Sequence, residues 1–118
     1  MKIGLISDIH ANFPALEAVF ESAKVENIDH WFCLGDIVSY YYWPSECIKL
    51  LTEHSIDCIS GNHDRILCDI PNNSDFDEYS RKYGSGSKLA LNSLSNNQFN
   101  WLSSLPEKLE LSIDGHNV

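Results

Sequence analysis

Apolar residues along the chain form short runs that alternate with stretches of helical periodicity. Residues 2–6, 31–34 and 56–59 are short, mostly apolar runs, which is typical of buried strands. Between these runs, apolar residues recur at helical spacing after Pro14 and after Pro44, and proline is favoured in the first turn of a helix. The alternation predicts a βαβαβ unit, in which parallel strands are joined by right-handed crossovers.

The pattern is weaker in the second half of the chain. Residues 69–86 are rich in Asn, Ser, Asp and Gly, which predicts a loop with a helical turn around residues 77–83. Residues 88–94 have helical spacing. Residues 95–98 have the arrangement of a capping box, which predicts a further helix that Pro106 ends.

The last residues predict a hairpin. Residues 109–113 alternate between apolar and polar side chains, as in a strand with one face in solvent, and Asp114-Gly115 is a type I′ turn signal. The returning arm would begin at His116, and the sequence stops at Val118. A hairpin without its second arm leads us to expect a further segment beyond Val118.

Length and composition are those of one globular domain. A chain of 118 residues, 43% hydrophobic and 21% charged, is expected to fold as a single unit over residues 1–118. No apolar stretch approaches the roughly 18 residues of a membrane span, and the N-terminus reads as a strand. The four cysteines have no C-x-x-C pairing, so we expect buried, reduced thiols in a cytoplasmic protein.

The net charge of −9 restricts the partners of the protein. Such a surface repels phosphate backbones, which argues against a passive nucleic-acid-binding role. A small phosphorylated substrate stays compatible with this charge, because carboxylates that hold divalent cations reverse the local field.

Polar side chains follow each of the three predicted strands. Asp8 and His10 come after the first strand, Asp36 after the second, and residues 61–64, with the sequence Gly-Asn-His-Asp, after the third. Ligand sites in open α/β sheets form outside the carboxyl ends of the strands, so these side chains should converge in one crevice. Taken singly, D-x-H and G-D are common turn sequences, whereas G-N-H-D is rare, and the ordered combination is a strong signal.

These blocks resemble those of the calcineurin-like metallophosphoesterase superfamily, which read D-x-H, then G-D, then G-N-H-[DE]. Residues 6–19, 33–38 and 101–106 are similar to a branch of small bacterial and archaeal phosphoesterases. The resemblance extends along essentially the whole chain but corresponds to the N-terminal half of a typical member. It implies an α/β fold, namely the N-terminal half of an α/β/β/α sandwich.

The resemblance also implies a site with two divalent metal ions, which could be Mn, Fe, Zn or Ni. Asp36 would bridge the two ions, because one carboxylate offers two oxygens. Asp8 and His10 would bind the first ion, and the amide oxygen of Asn62 would bind the second.

The remaining residues of the third block are implied to act on the substrate. His63 would donate a proton or a hydrogen bond to the phosphoryl or leaving oxygen, and Asp64 would fix its tautomer by accepting from the other ring nitrogen. Arg65 could contact a phosphate, although a solvated surface arginine is the preferred interpretation.

The sequence departs from the family in the histidines that complete the metal site. Family members carry three later histidines, and this sequence ends before those blocks. His116 is interpreted as a turn residue, and His30 and His54 are expected at the opposite edge of the sheet. Half a sandwich would leave one sheet face uncovered, so we expect instability, self-association or a missing C-terminal segment.

A second departure is the aromatic stretch at residues 39–43, Ser-Tyr-Tyr-Tyr-Trp, which replaces a glycine- and proline-rich loop of the family. It could stack on a base or another aromatic leaving group. The preferred interpretation is that it packs locally or forms an apolar patch that a partner covers.

The function implied is metal-dependent hydrolysis of a phosphomonoester or phosphodiester, with a small molecule or nucleotide as substrate and no membrane partner. One alternative is a truncated, catalytically silent module that acts by binding a partner. Another alternative is a nucleotide-binding α/β domain without catalysis. The sequence argues against it, because no Gly-rich phosphate-binding loop follows the first strand.

Overall fold

The structure, a computed structural model, describes residues 1–70 and 76–118. Its elements in chain order are β1 (Ile3–Ile6), α1 (Phe13–Ala23), a 3₁₀ turn (Lys24–Glu26), β2 (His30–Cys33), α2 (Pro44–Glu53), β3 (Asp57–Cys58), α3 (Asn62–Asp69), α4 (Phe76–Tyr83), α5 (Gly86–Ser93), α6 (Asn96–Ser103), β4 (Ser112–Ile113) and β5 (His116–Asn117). No helix in the described part of the chain is long and apolar enough to cross a membrane.

The first three strands form a parallel sheet in the order β1-β2-β3, which confirms the predicted βαβαβ unit. Leu5 is opposite Phe32, and Cys33 is opposite Cys58. The third strand is shorter than predicted, because the chain turns away at Ser60, whose amide donates to Pro106 O at 2.8 Å.

Helices α1 and α2 cover one face of the sheet. Leu16 of α1 is buried, and α2 buries its predicted apolar stripe of Cys47, Ile48 and Leu51. Each of these side chains removes apolar area from water, and together they form the centre of the core. Cys33 and Cys58 are also buried, and all four cysteines are free thiols.

The helix ends are set by side-chain caps. Asn12 accepts from the amide of Ala15 at 3.2 Å at the start of α1, and Ser95 with Gln98 forms the predicted capping box of α6. The predicted helical turn at residues 77–83 is confirmed by α4, and the part of the predicted loop at residues 71–75 lies outside the described residues. Helix α3 was not predicted, because it begins inside the G-N-H-D block, which looks like a turn in sequence.

The predicted C-terminal hairpin is confirmed, with a shorter first strand than the pattern indicates. Asp114 and Gly115 have φ values of 49° and 82°, as a type I′ turn requires. The returning arm begins at His116, as predicted: β5 pairs with β4, and Leu111 and Val118 exchange two backbone hydrogen bonds of 2.8 Å. The predicted strand at residues 109–113 is shorter, with β4 limited to Ser112–Ile113.

The second face of the sheet is open, as expected from the resemblance. Leu5 is 63% exposed and Leu34 is 45% exposed. A groove of about 440 Å³ lies between this face and the hairpin, lined by apolar side chains that include Ile59 and Leu109. A contiguous apolar surface of this kind is typical of an interface.

We expect the open face to drive self-association of the 118-residue chain. Replacing Leu5 by Glu places a charge in the middle of this face without removing a core side chain, since Leu5 is 63% exposed. The variant should bind less hydrophobic dye and sediment at lower mass than the unmodified chain. Val25→Glu is the matched control, because Val25 is 81% exposed on the 3₁₀ turn. Equal dye binding and mass for the chain and both variants would contradict this.

Candidate metal centre

The loops that follow β1 and β2 are joined by backbone hydrogen bonds. Three amides of the loop after β1 donate to three carbonyls of the loop after β2, which is called the β2 loop below. The pairs are Asp8 N with Gly35 O at 3.1 Å, His10 N with Asp36 O at 2.9 Å, and Ala11 N with Ile37 O at 2.7 Å. This ladder continues the parallel pairing beyond the strand ends, so Asp8, His10 and Asp36 are held side by side.

Two glycines allow the loops after β2 and β3 to touch. A Cβ at Gly35 would overlap the backbone of Gly61, and a Cβ at Gly61 would overlap the side chain of Asp36. Gly35 also has φ 98°, which glycine tolerates without strain. The glycines of the G-D and G-N-H-D blocks are therefore needed for the close approach of the two loops.

Three candidate metal ligands meet at this edge. Asp8, His10 and Asp36 each offer one ligand atom, and these three atoms lie within 4.8 Å of one another. The side chain of Asp8 is 66% exposed, whereas that of His10 is 19% exposed. The group is therefore open to solvent on the Asp8 side and enclosed on the other.

His10 presents its Nε2 atom to this group. Its Nδ1 atom lies 3.1 Å from Val38 O, and because a carbonyl only accepts, Nδ1 carries the proton. In the neutral imidazole Nε2 is then an acceptor, and it faces Asp8 Oδ1 at 3.6 Å. A backbone carbonyl that fixes the tautomer in this way is the usual partner of a metal-binding histidine.

Asn62 faces the carboxylate of Asp36. In the orientation that its surroundings favour, the side-chain nitrogen of Asn62 donates to both carboxylate oxygens of Asp36, each 3.0 Å away. If the amide rotated, its oxygen would face a cation at Asp36 instead. Asp8, His10 and Asp36 are therefore the side chains whose donor atoms already suit a divalent cation.

His63 lies beside this group on the first turn of α3. Its backbone amide donates to Asp36 Oδ1 at 3.0 Å, so the helix N-terminus helps to position that carboxylate. Its ring centroid is 5.1 Å from that of His10 and is also close to Tyr40 and Tyr83, at 5.1 and 5.4 Å. The predicted site residues Asp8, His10, Asp36, Asn62 and His63 are thus brought together.

The geometry gives Asp64 a different role from the predicted one. Its side chain is fully buried, and its oxygens accept from four backbone amides, those of residues 36, 37, 38 and 61, at 2.8 to 3.2 Å. Burial raises the pKa of Asp64, and the amide donors oppose that rise. Asp64 is therefore a structural residue that holds the β2 loop against the start of α3, and the assignment to the His63 tautomer is corrected.

Other histidines and the arginine lie away from the group. Arg65 is exposed and contacts Ser60 O at 2.9 Å and Glu107, as the surface interpretation predicted. His30 pairs with Asp57 at the start of β2, and His54 follows α2, so both are at the opposite edge of the sheet.

Sequence reasoning left one neighbour of the site undecided and missed another. Tyr40 belonged to the aromatic stretch with two open interpretations. Tyr83 was not singled out, because it closes a helix whose place relative to the sheet no spacing rule predicts.

Comparison with known proteins agrees with this geometry. The model of the calcineurin-like phosphoesterase family matches residues 1–116. Uncharacterized protein MJ0912 of Methanocaldococcus jannaschii is 38% identical over 117 residues, which are 98% of this chain and 46% of that protein. The crystal structure of a metallophosphoesterase from Sphaerobacter thermophilus superposes with a TM-score of 0.73 at 34% identity, covering 97% of this chain and 44% of that one.

A second crystal structure, of a protein provisionally named a diadenosine tetraphosphatase, has the same fold. Its TM-score is 0.65 at 21% identity, covering 88% of this chain and 42% of that one. The fold is that of the metallophosphoesterases. The chain belongs to the calcineurin-like phosphoesterase family, and it spans less than half the length of the relatives it matches.

Replacing Asp64 by Ala should destabilise the fold strongly. The change leaves two buried and two partly buried amides without their acceptor, and such losses cost about 3 kcal/mol or more in total. The unfolding midpoint in urea, followed by circular dichroism, measures this. Asp69→Ala is the control, because Asp69 is exposed on the same helix. An unchanged unfolding midpoint for Asp64→Ala would contradict the structural role of Asp64.

Proposed function

We propose that this chain provides a divalent-metal site for the hydrolysis of a phosphomonoester or phosphodiester. The observation that carries the proposal is the convergence of Asp8, His10 and Asp36 at the carboxyl ends of two parallel strands. Membership of the calcineurin-like phosphoesterase family supports it.

The donor set suits two divalent ions with mixed oxygen and nitrogen preference. Asp8 and His10 would hold one ion, Asn62 the other, and Asp36 both, with Mn, Fe, Zn and Ni as the ions that accept such ligands. Bound there, divalent ions would supply Lewis acidity toward the phosphoryl group and lower the pKa of water. The net charge of −9 makes such ions more important, because an anionic substrate is otherwise repelled.

His63 would act on the substrate and not on the metal. Its ring lies between His10 and the two tyrosines, which limits its rotation, and its amide is bonded to Asp36. A histidine held beside the ligands can donate a proton to the oxygen that leaves phosphorus. The substrate class we propose is a small phosphoester or a nucleotide, in keeping with the names of the structural relatives.

A catalytically silent module that binds a partner is the second candidate. The exposed side chains of Leu5 and Leu34 favour it, since they form an apolar face suited to another protein surface. Metal binding and hydrolysis, measured on the same preparation, separate the two candidates.

Replacing Asp36 by Asn should weaken Mn²⁺ binding at least about tenfold, because the shared carboxylate loses its charge and one acceptor oxygen. Titration calorimetry of the 118-residue chain measures this. Asp57→Asn is the matched control, because Asp57 is exposed and bonded to His30 at the far edge of the sheet. If both variants bind Mn²⁺ as the unmodified chain does, the proposed site is wrong.

Replacing His63 by Gln should lower kcat for bis(p-nitrophenyl) phosphate about 100-fold or more, as expected for loss of a proton donor. The affinity for Mn²⁺ should stay within about twofold of the unmodified chain, since His63 is proposed to act on substrate. Release of p-nitrophenolate and calorimetry give the two values. A large loss of Mn²⁺ affinity would instead make His63 a metal ligand.

A further inference from the structure

Tyr40 is held beside the candidate metal centre by an unusual backbone. Ser39 and Tyr40 have φ values of 80° and 74°, and each left-handed residue other than glycine is strained by its Cβ. Such strain persists where the surroundings impose it, and it clusters at functional sites.

Several contacts impose this conformation. The hydroxyl of Ser39 is 3.1 Å from that of Ser87, and both side chains are buried. A Cβ at Gly86 would overlap the backbone of Tyr40, so the start of α5 presses directly against this residue. On the other side, the amide of Tyr41 donates to His10 O at 3.1 Å.

The backbone of Tyr40 is fixed by these contacts, but its aromatic ring does not pack in the hydrophobic core. Tyr40 is 43% exposed, and its ring lies edge-on to His10 with centroids 4.9 Å apart. It is 5.1 Å from His63 and 6.4 Å from Tyr83, which itself lies 5.4 Å from His63. Tyr40, His63 and Tyr83 form an aromatic wall beside the metal ligands, and this wall keeps a solvent-exposed ring.

We propose that this aromatic wall receives a flat aromatic group carried by the phosphoester, so that the substrate class is an aryl or nucleoside phosphoester. The inference rests on the function proposed above. His63 is part of the aromatic wall and is also the proposed proton donor to the leaving oxygen. An aromatic group of the substrate that binds at the wall would therefore belong to the leaving group. Tyr40 and Tyr83 contribute a face or an edge to it, whereas a saturated group of equal size lacks the flat π surface that stacks on tyrosine.

The test compares binding of non-hydrolysable ligands to the 118-residue chain with Mn²⁺ present. Phenylphosphonate and cyclohexylphosphonate have the same charge and similar size, but only the first carries an aromatic ring. We expect phenylphosphonate to bind about 3- to 10-fold more tightly by calorimetry, with shifted tyrosine ring resonances in NMR spectra. The methylenephosphonate analogues of AMP and of ribose 5-phosphate, which have a P–C bond in place of the ester, measure the same preference for a base. The larger of the two affinity ratios identifies the aryl or the nucleoside source.

Substitutions test which residue causes the preference for an aromatic over a saturated ligand. Tyr40→Leu should reduce it to near unity, and Tyr40→Phe should keep it, since the ring and not the hydroxyl is invoked. Tyr42→Leu is the matched control: Tyr42 is 64% exposed in the same loop and contacts Tyr41 and Trp43. Circular dichroism verifies that the variants fold.

Three results would overturn the inference in different ways. If Mn²⁺ promotes binding of both phosphonates equally, and base and ribose ligands also bind alike, the aromatic wall has no such role and the proposed function stands. If Mn²⁺ raises the affinity for none of the ligands, the proposed function fails and this inference fails with it. An equal effect of Tyr42→Leu and Tyr40→Leu would also contradict it.

Discussion

The buried carboxylate of Asp64 is the constraint on which the site depends. Four backbone amides from two separate loops converge on its two oxygens. Removing a carboxylate from water is costly unless charged hydrogen bonds replace the lost hydration, and here the backbone supplies them. Asp36 belongs to one of these loops, and Asn62 and His63 lie in the first turn of α3 beside Asp64. A single buried side chain therefore sets the position of Asp36 relative to Asn62 and His63.

The backbone around the site carries strain that these hydrogen bonds offset. Six residues other than glycine have positive φ in the loops after β1 and β2: Asp8, His10, Ala11, Asp36, Ser39 and Tyr40. At about 1–2 kcal/mol each, this conformation would not persist in an isolated loop. The ladder between the two loops and the amides held by Asp64 make it the lowest-energy arrangement. Three of these residues, Asp8, His10 and Asp36, are the ones whose ligand atoms lie within 4.8 Å of one another.

The sequence was informative where a local rule governs the structure. Apolar periodicity predicted the parallel sheet and helix α2, and Ser95 with Gln98 predicted the start of α6. The strand-end rule predicted that Asp8, His10 and Asp36 converge. It did not predict α3 or the role of Asp64, because an aspartate that accepts from amides 27 residues away has no signature in its neighbours. Nor could spacing predict that Tyr83 reaches the site, because this depends on how α4 packs.

The two sides of the candidate metal group differ in their surroundings, and this asymmetry constrains how a substrate would bind. Tyr40, Tyr83 and the start of α3 occupy the side of His63, whereas the carboxylate of Asp8 is 66% exposed. In the site proposed above, the phosphoryl oxygens would approach from the Asp8 side, and an aromatic group would lie against the exposed ring of Tyr40. The open sheet face with Leu5 and Leu34 begins on the same strands that lead to Asp8 and Asp36. A protein surface that covers this face would stabilise the strands that carry the proposed metal ligands. The stability of the sheet and the affinity for metal are therefore expected to be thermodynamically linked.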